Sequence, residues 1–183
     1  MKTLILNGSP RKNGDTAALI RCLAGKLSGE IRVVDSFTAG IHPCCDCRYC
    51  WTHPTCAVAD GMGEIYEYLK ECDNVVIASP LYFSELSGPL LGLCSRFQLY
   101  YAVKRFQKTA LLQKKKKGVL ILTGGGDGGP EKAEATAGTL MRLLNAEPVG
   151  TVLSLQTDRL PAALDKSAAK ELSRLAELLN GGN

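Results

Sequence analysis

Five short apolar runs alternate along the chain with segments of helical periodicity, and no other feature restricts the possible folds as much. The runs cover residues 2–6, 30–35, 74–79, 118–123 and 148–155, each bounded by glycine, proline, asparagine or aspartate. Apolar stretches this short, closed off by turn residues, read as strands buried on both faces. Between them the spacing changes. Residues 15–28 place Leu19, Ile20, Leu23 and Leu27 on one helical face, after Asn13 or Asp15 as a cap, and Met62, Ile65, Tyr66 and Leu69 follow Asp60 in the same way. A long helix is expected over 87–106, with Pro89 tolerated in its first turn. Pro130 opens a helix with Ala133, Ala137, Leu140, Met141 and Leu144 on one stripe, and Leu164, Ala168, Leu172, Leu175 and Leu179 mark the last. Strands interleaved with amphipathic helices predict an α/β three-layer sandwich, and right-handed crossovers leave few topologies for it. The expected strand order is 2-1-3-4-5.

With 183 residues, 45% of them hydrophobic, residues 1–183 suit a single domain with a sizeable core. Residues 41–57 form a cysteine-rich loop inserted after strand 2. The formal charge of +4 is too small to suggest nucleic acid, and much of it sits in the lysine run 114–117. No apolar run approaches the ~18 residues that span a bilayer, and the first residues lack a secretory pattern, so no membrane partner and a cytoplasmic location are expected. There the eight cysteines stay reduced and act as small hydrophobes, metal ligands or redox thiols rather than disulfides.

In a doubly wound sheet, ligands bind beyond the carboxyl ends of the strands, where the strand order reverses. Three loops leave that point, over residues 7–15, 80–88 and 123–130, and each has a composition suited to flavin mononucleotide (FMN). The first runs from strand to helix, and a helix N-terminus offers unpaired amides to a phosphate. Ser9 and Thr16 add hydroxyls and Arg11 a charge, while Gly8 and Gly14 let the backbone come close. An ordinary capped turn would share this composition. The second loop sets Tyr82 and Phe83 directly after a buried strand, either to flank a flat ring or to join the core. The third, Thr123 to Gly129, is nearly bare backbone, able to approach a ring edge or simply to turn.

The segments 6–16 (LNGSPRKNGDT), 44–56 and 78–83 (ASPLYF), with Ser87-Gly88, Arg96-Phe97 and the glycine loop after strand 4, resemble the NADPH-dependent FMN reductase and iron–sulfur flavoprotein group of flavodoxin-like proteins. The resemblance extends over essentially the whole chain. It implies that Ser9, Arg11, Asn13 and Thr16 hold the FMN phosphate. It further implies that Pro80, Leu81, Tyr82 and Phe83, with Thr123, Gly124, Gly125 and Gly126, hold the flavin. Members of the group often carry asparagine where this chain has Asp15, a carboxylate expected to cap the first helix and to point away from an anion.

Cys44, Cys47, Cys50 and Cys56 follow the spacing C-x2-C-x2-C-x5-C, with Cys45 extra. Thiolates at such intervals resemble the ferredoxin arrangement around a [4Fe–4S] cluster, whereas structural zinc sites more often use two separated pairs. Reactive or purely structural cysteines are the remaining reading. Cys22, Cys72 and Cys94 fall on helical patterns as fillers. Trp51 is placed to shield a cluster or flavin or to meet a second subunit. Arg96 would meet an anionic cofactor group or make a surface ion pair. The lysine run would sit in a solvated loop or attract the 2′-phosphate of NADPH. Apolar and aromatic residues around the 87–106 helix call for a second partner, hence a homodimer or homotetramer.

Three functions fit these features. The first is an oxidoreductase in which FMN takes electrons from NAD(P)H and passes them to a quinone, flavin or other small acceptor, with no side chain singled out as a catalytic acid. The second is an electron carrier with a cluster on Cys44–Cys56 and a ferredoxin-like partner. The third is a non-redox protein whose cysteine loop holds zinc or a partner. Tyrosine phosphatase chemistry is set aside, because the loop over 7–15 has no nucleophilic cysteine.

Overall fold

The computed structural model describes residues 1–181. Five parallel strands, β1 (Lys2–Asn7), β2 (Glu30–Asp35), β3 (Asn74–Pro80), β4 (Lys116–Thr123) and β5 (Ala146–Ser154), form one sheet in the order β2-β1-β3-β4-β5. This is the doubly wound arrangement expected from the sequence. Helices α1 (Asp15–Ala24), α2 (Met62–Glu71), α3 (Gly88–Ser95), α4 (Gln98–Ala102), α5 (Glu131–Leu143) and α6 (Lys166–Leu179) cover it.

The strand period of two divides the core into two layers. Ile5, Val76, Ala78, Val119 and Ile121 pack with Leu19, Leu23, Leu172 and Leu175 beneath α1 and α6. Their neighbours Leu4, Leu6, Val75, Ile77, Leu120 and Leu122 pack on the other face with Met62, Ile65, Leu90 and Met141. A strand apolar at every position is thus satisfied on both sides, which is why the central strands lack polar alternation.

The elements depart from the sequence expectation at four places. Helix α1 ends at Ala24 rather than reaching residue 28, and Gly14, not Asn13 or Asp15, stands at its N-cap. Helix α6 starts after Asp165, whose Oδ1 accepts the Ser167 and Ala168 amides at 3.0 and 3.1 Å, while Leu164 stays exposed. The helix expected over 87–106 is α3 and α4 joined by a tightened turn. There Arg96 and Phe97 donate to the carbonyls of Leu93 and Cys94, and a π turn over Val103–Gln107 follows. Strand β4 begins two residues early, inside the lysine run. Lys116 is buried and its Nζ donates to the Lys114 carbonyl, while Lys114 pairs with Asp73 at 2.6 Å. The run therefore anchors the amino end of β4, roughly 23 Å of extended chain from the opposite rim, rather than lying wholly in a solvated loop.

Candidate functional site

The three loops singled out in the sequence leave the sheet side by side, because the ladder continues one residue into each. Gly8 donates to the Ala78 carbonyl at 2.7 Å, Leu81 to Thr123 at 2.8 Å and Gly124 to Ser154 at 2.9 Å. Space between the loops is tight. A Cβ on Gly8 would stand 2.8 Å from both Leu90 Cδ2 and Ser87 Oγ, so any larger residue there requires these side chains to shift.

No side chain caps α1. Its first-turn amides therefore face the rim carrying the partial positive charge of the helix end, the arrangement that receives a phosphate. Ser9 is buried; its hydroxyl accepts the Arg11 amide at 3.3 Å, and its own amide donates to Asn7 Oδ1 at 2.9 Å. Arg11 and Asn13 are exposed. Thr16 is buried, and its hydroxyl shares a 2.7 Å hydrogen bond with that of Thr123, tying the first loop to the third. Asp15 turns away from the helix axis: Oδ1 accepts the Ala162 amide at 3.0 Å, and Oδ2 lies 3.5 Å from Arg11. The carboxylate binds another loop rather than capping its own helix.

The second loop closes a two-residue turn in which Tyr82 and Glu85 exchange backbone hydrogen bonds of 2.9 and 3.1 Å. Phe83 and Ser84 at its tip have φ of +55° and +61°. This left-handed pair is normally left to Asn-Gly and costs about 1–2 kcal/mol per ordinary residue. Phe83 is fully exposed and Tyr82 44% exposed, so neither aromatic belongs to the core. The turn is held by Ala133, which donates to the Ser84 carbonyl at 3.2 Å, and by Thr136, which donates to Glu85 Oε2 at 2.9 Å. Pro80 and Leu81 lie half-buried at its base.

Thr123 is buried, Gly124 and Gly125 are half-buried, and Gly126 is exposed. A fourth segment joins this rim that was not singled out in the sequence. After β5, Thr157 donates to the Gly124 carbonyl at 2.9 Å, and the Asp158 carboxylate lies 2.6 Å from where a Gly125 Cβ would stand. The topology alone pointed to it, since β5 ends at the same rim.

The cysteine loop packs along α3 and α4. Cys44 donates its amide to Ser95 Oγ at 2.9 Å, and Gln107 Nε2 donates to the Cys50 carbonyl at 2.9 Å. Cys44, Cys47, Cys50 and Cys56 line one cavity of about 270 Å³ together with Trp51 and Phe106, whose rings stack 4.2 Å apart. Burial raises the Cys50 thiol above its ordinary pKa, against a lowering from a backbone hydrogen bond, and the neighbouring Cys44, Cys56 and Cys47 add to the rise. Among the described residues, no group of three His, Cys, Asp or Glu side chains is placed to hold a metal ion.

Arg96 is interior rather than at the surface, and it lines the cavity of the four cysteines. Its side chain is 1% exposed and donates from Nη1 to Asp60 Oδ2 at 2.7 Å and to the His42 carbonyl at 2.9 Å, and from Nη2 to Cys56 Sγ at 3.3 Å. A helical pattern gives no sign that one arginine on the stripe is interior, and the turn between α3 and α4 is what places it there. No helix among the described residues is long and apolar enough to cross a membrane.

Comparison with known proteins agrees with this geometry. A solved FMN-dependent NADH-azoreductase from Bacillus anthracis, in complex with FMN, shares the fold at a TM-score of 0.73 and 17% identity, covering 99% of this chain and 100% of that one. An iron–sulfur flavoprotein of Methanocaldococcus jannaschii is 30% identical over 99 residues, 52% of this chain and 51% of the relative, so that match spans about half its length. A second iron–sulfur flavoprotein of the same organism is 30% identical over 154 residues, 82% of this chain and 75% of the relative. The family model described as NADPH-dependent FMN reductase matches residues 1–159. The match runs through all three rim loops and most of the chain, and the chain belongs to the NADPH-dependent FMN reductase family.

Proposed function

We propose that this protein is an FMN-dependent NAD(P)H oxidoreductase that delivers electrons to a quinone, a flavin or another small acceptor. The observation that carries the reading is the helix α1 N-terminus, uncapped by any side chain and tied through Thr16 to Thr123, at the same rim from which the exposed Tyr82–Phe83 turn leaves the sheet. Bound FMN would supply the hydride and electron-transfer chemistry. The amides of α1, with Ser9, Arg11, Asn13 and Thr16, would hold its phosphate. Pro80 to Phe83 would lie against the ring, and Thr123 to Gly126 would bring nearly bare backbone to the edge where negative charge develops, with the amides of Gly125 and Gly126 as its donors. Asp15, held by Ala162 and Arg11, keeps its charge turned aside. Titration of the metal-free chain with FMN, followed by NADH and NADPH oxidation with quinone and free flavin as acceptors, tests this. Bound flavin with pyridine-nucleotide oxidation supports the reading, and failure to retain FMN defeats it.

A second reading adds a [4Fe–4S] cluster on Cys44, Cys47, Cys50 and Cys56 and a ferredoxin-like partner. It is supported by the cavity these four residues share and by the relatives named iron–sulfur flavoproteins. Anaerobic purification with iron, sulfide and zinc analysis decides it. About four irons per chain favours the cluster, as a cubane requires, and one zinc favours the structural alternative. The exposed rings of Trp51, Tyr101 and Phe106 favour self-association as a homodimer or homotetramer in the cytoplasm, tested by sizing at micromolar concentration.

A further inference from the structure

A cavity of about 1,010 Å³, the larger of the spaces described, lies away from the rim that fits FMN. It is framed by the segment before β4 and the end of α5, with Gln113 three residues before β4 and Asn145 immediately before β5. That is the amino-terminal side of the sheet, a full strand length from the three loops. Lys104, Arg105, Lys108 and Arg142 line it, and none of the described residues lining it is acidic. Among the described residues none of the four makes an ion pair. Two of them are tethered to neutral groups, Lys108 Nζ to the Arg105 carbonyl and Arg142 Nη2 to Thr139 Oγ1, both at 2.9 Å.

Uncompensated like charges gathered on one concave surface repel one another and focus a positive potential, which an anion relieves. Backbone geometry agrees. Lys104 and Arg105 ride on the π turn over Val103–Gln107, a rare interruption that recurs at functional sites. Lys108 closes that turn with φ of +56°, an uncommon conformation for a lysine. Tyr101, half-exposed, and Leu111 add an aromatic and an apolar side chain to the same lining. The size suits a small organic ligand rather than a bare ion.

We propose that this cavity is a second ligand site, taking a nucleoside polyphosphate with its phosphates among Lys104, Arg105, Lys108 and Arg142 and its ring against Tyr101 and Leu111. The test is calorimetric titration of the FMN-loaded protein, as it assembles in solution, with ATP, inorganic tripolyphosphate and adenosine. ATP is expected to bind, more tightly than tripolyphosphate and far more tightly than adenosine, and a saturating excess of FMN leaves it in place. Lys104→Glu and Arg142→Glu, both at the surface, each weaken ATP by about tenfold or more, the scale of a lost charge-assisted bond. Their retained FMN and unchanged melting show that the fold persists. No ATP binding at about millimolar concentration, ATP binding indifferent to both reversals, displacement by FMN, or tripolyphosphate binding as tightly as ATP would each overturn the assignment.

Discussion

Arg96 and Asp60 form a buried ion pair, Nη1 to Oδ2 at 2.7 Å, with side chains 1% and 8% exposed. The pair joins the turn between α3 and α4 to the start of α2, where Asp60 Oδ1 accepts the Met62 amide at 3.0 Å. Its second arm reaches Cys56 Sγ and the Val58 carbonyl, both at 3.3 Å. One guanidinium therefore organises the end of the cysteine loop.

Asp60→Ala should destabilise the protein by about 3–5 kcal/mol, because it leaves the Arg96 charge buried without a partner. Urea unfolding measures this. Asp60→Ala combined with Arg96→Met should recover much of the loss, and a double variant no more stable than the single one would count against the ion pair as the cause.

The same pair gives stability an acid limit. Burial alone pushes the Asp60 carboxyl up, but the hydrogen bonds from Arg96, Met62 and His42 and the Arg96 charge outweigh it and hold its pKa below 3.8. Because the folded value lies below the unfolded one, the contribution is complete above 3.8 and disappears as pH falls through the depressed folded value. Thermal melts from pH 6 downward should show the wild type losing stability in that acid range. Asp60→Asn, already lacking the charge at neutral pH, should show a shallower decline.

Gly8→Ala should cost about 1–3 kcal/mol, the scale of overpacking. Its methyl would meet Leu90 Cδ2 and Ser87 Oγ at 2.8 Å and Ser79 Oγ at 3.0 Å. Since the displaced backbone leads directly into the α1 N-terminus, FMN affinity should fall as well. Unfolding and flavin fluorescence titration read the two effects separately.

Replacing the turn tip by Phe83→Asn with Ser84→Gly should stabilise the flavin-free protein by about 1 kcal/mol, since Asn-Gly adopts this left-handed pair with little strain. FMN binding should weaken by about 1–3 kcal/mol if the exposed Phe83 ring covers the flavin, the scale of stacking on an aromatic side chain. Higher stability with unchanged FMN affinity would remove Phe83 from the binding set.

The sheet, its order and the three rim loops were legible in the sequence because apolar runs of strand length alternate with helical stripes, and few connections satisfy that pattern. The tightened turn at Arg96–Phe97 was not legible. Arginine on a helical stripe reads as surface, and only the distant carboxylate of Asp60 and the carbonyl of His42 make its burial favourable. Lys116 escaped for the same reason, since a lysine run reads as solvated until a neighbouring carbonyl accepts one of its ammonium groups.

Local chemistry along the chain determined the strands, the direction of the sheet and the rim at which a phosphorylated ligand would sit, since these depend on side-chain periodicity and on glycine and proline at turns. Contacts between residues far apart in sequence decided the rest. They turned Asp15 toward Ala162, linked Thr16 to Thr123, brought the loop after β5 to the glycine loop and gathered four unpaired cations around one cavity. Charge and hydrogen bonding depend on distance in space, which spacing along the chain does not encode.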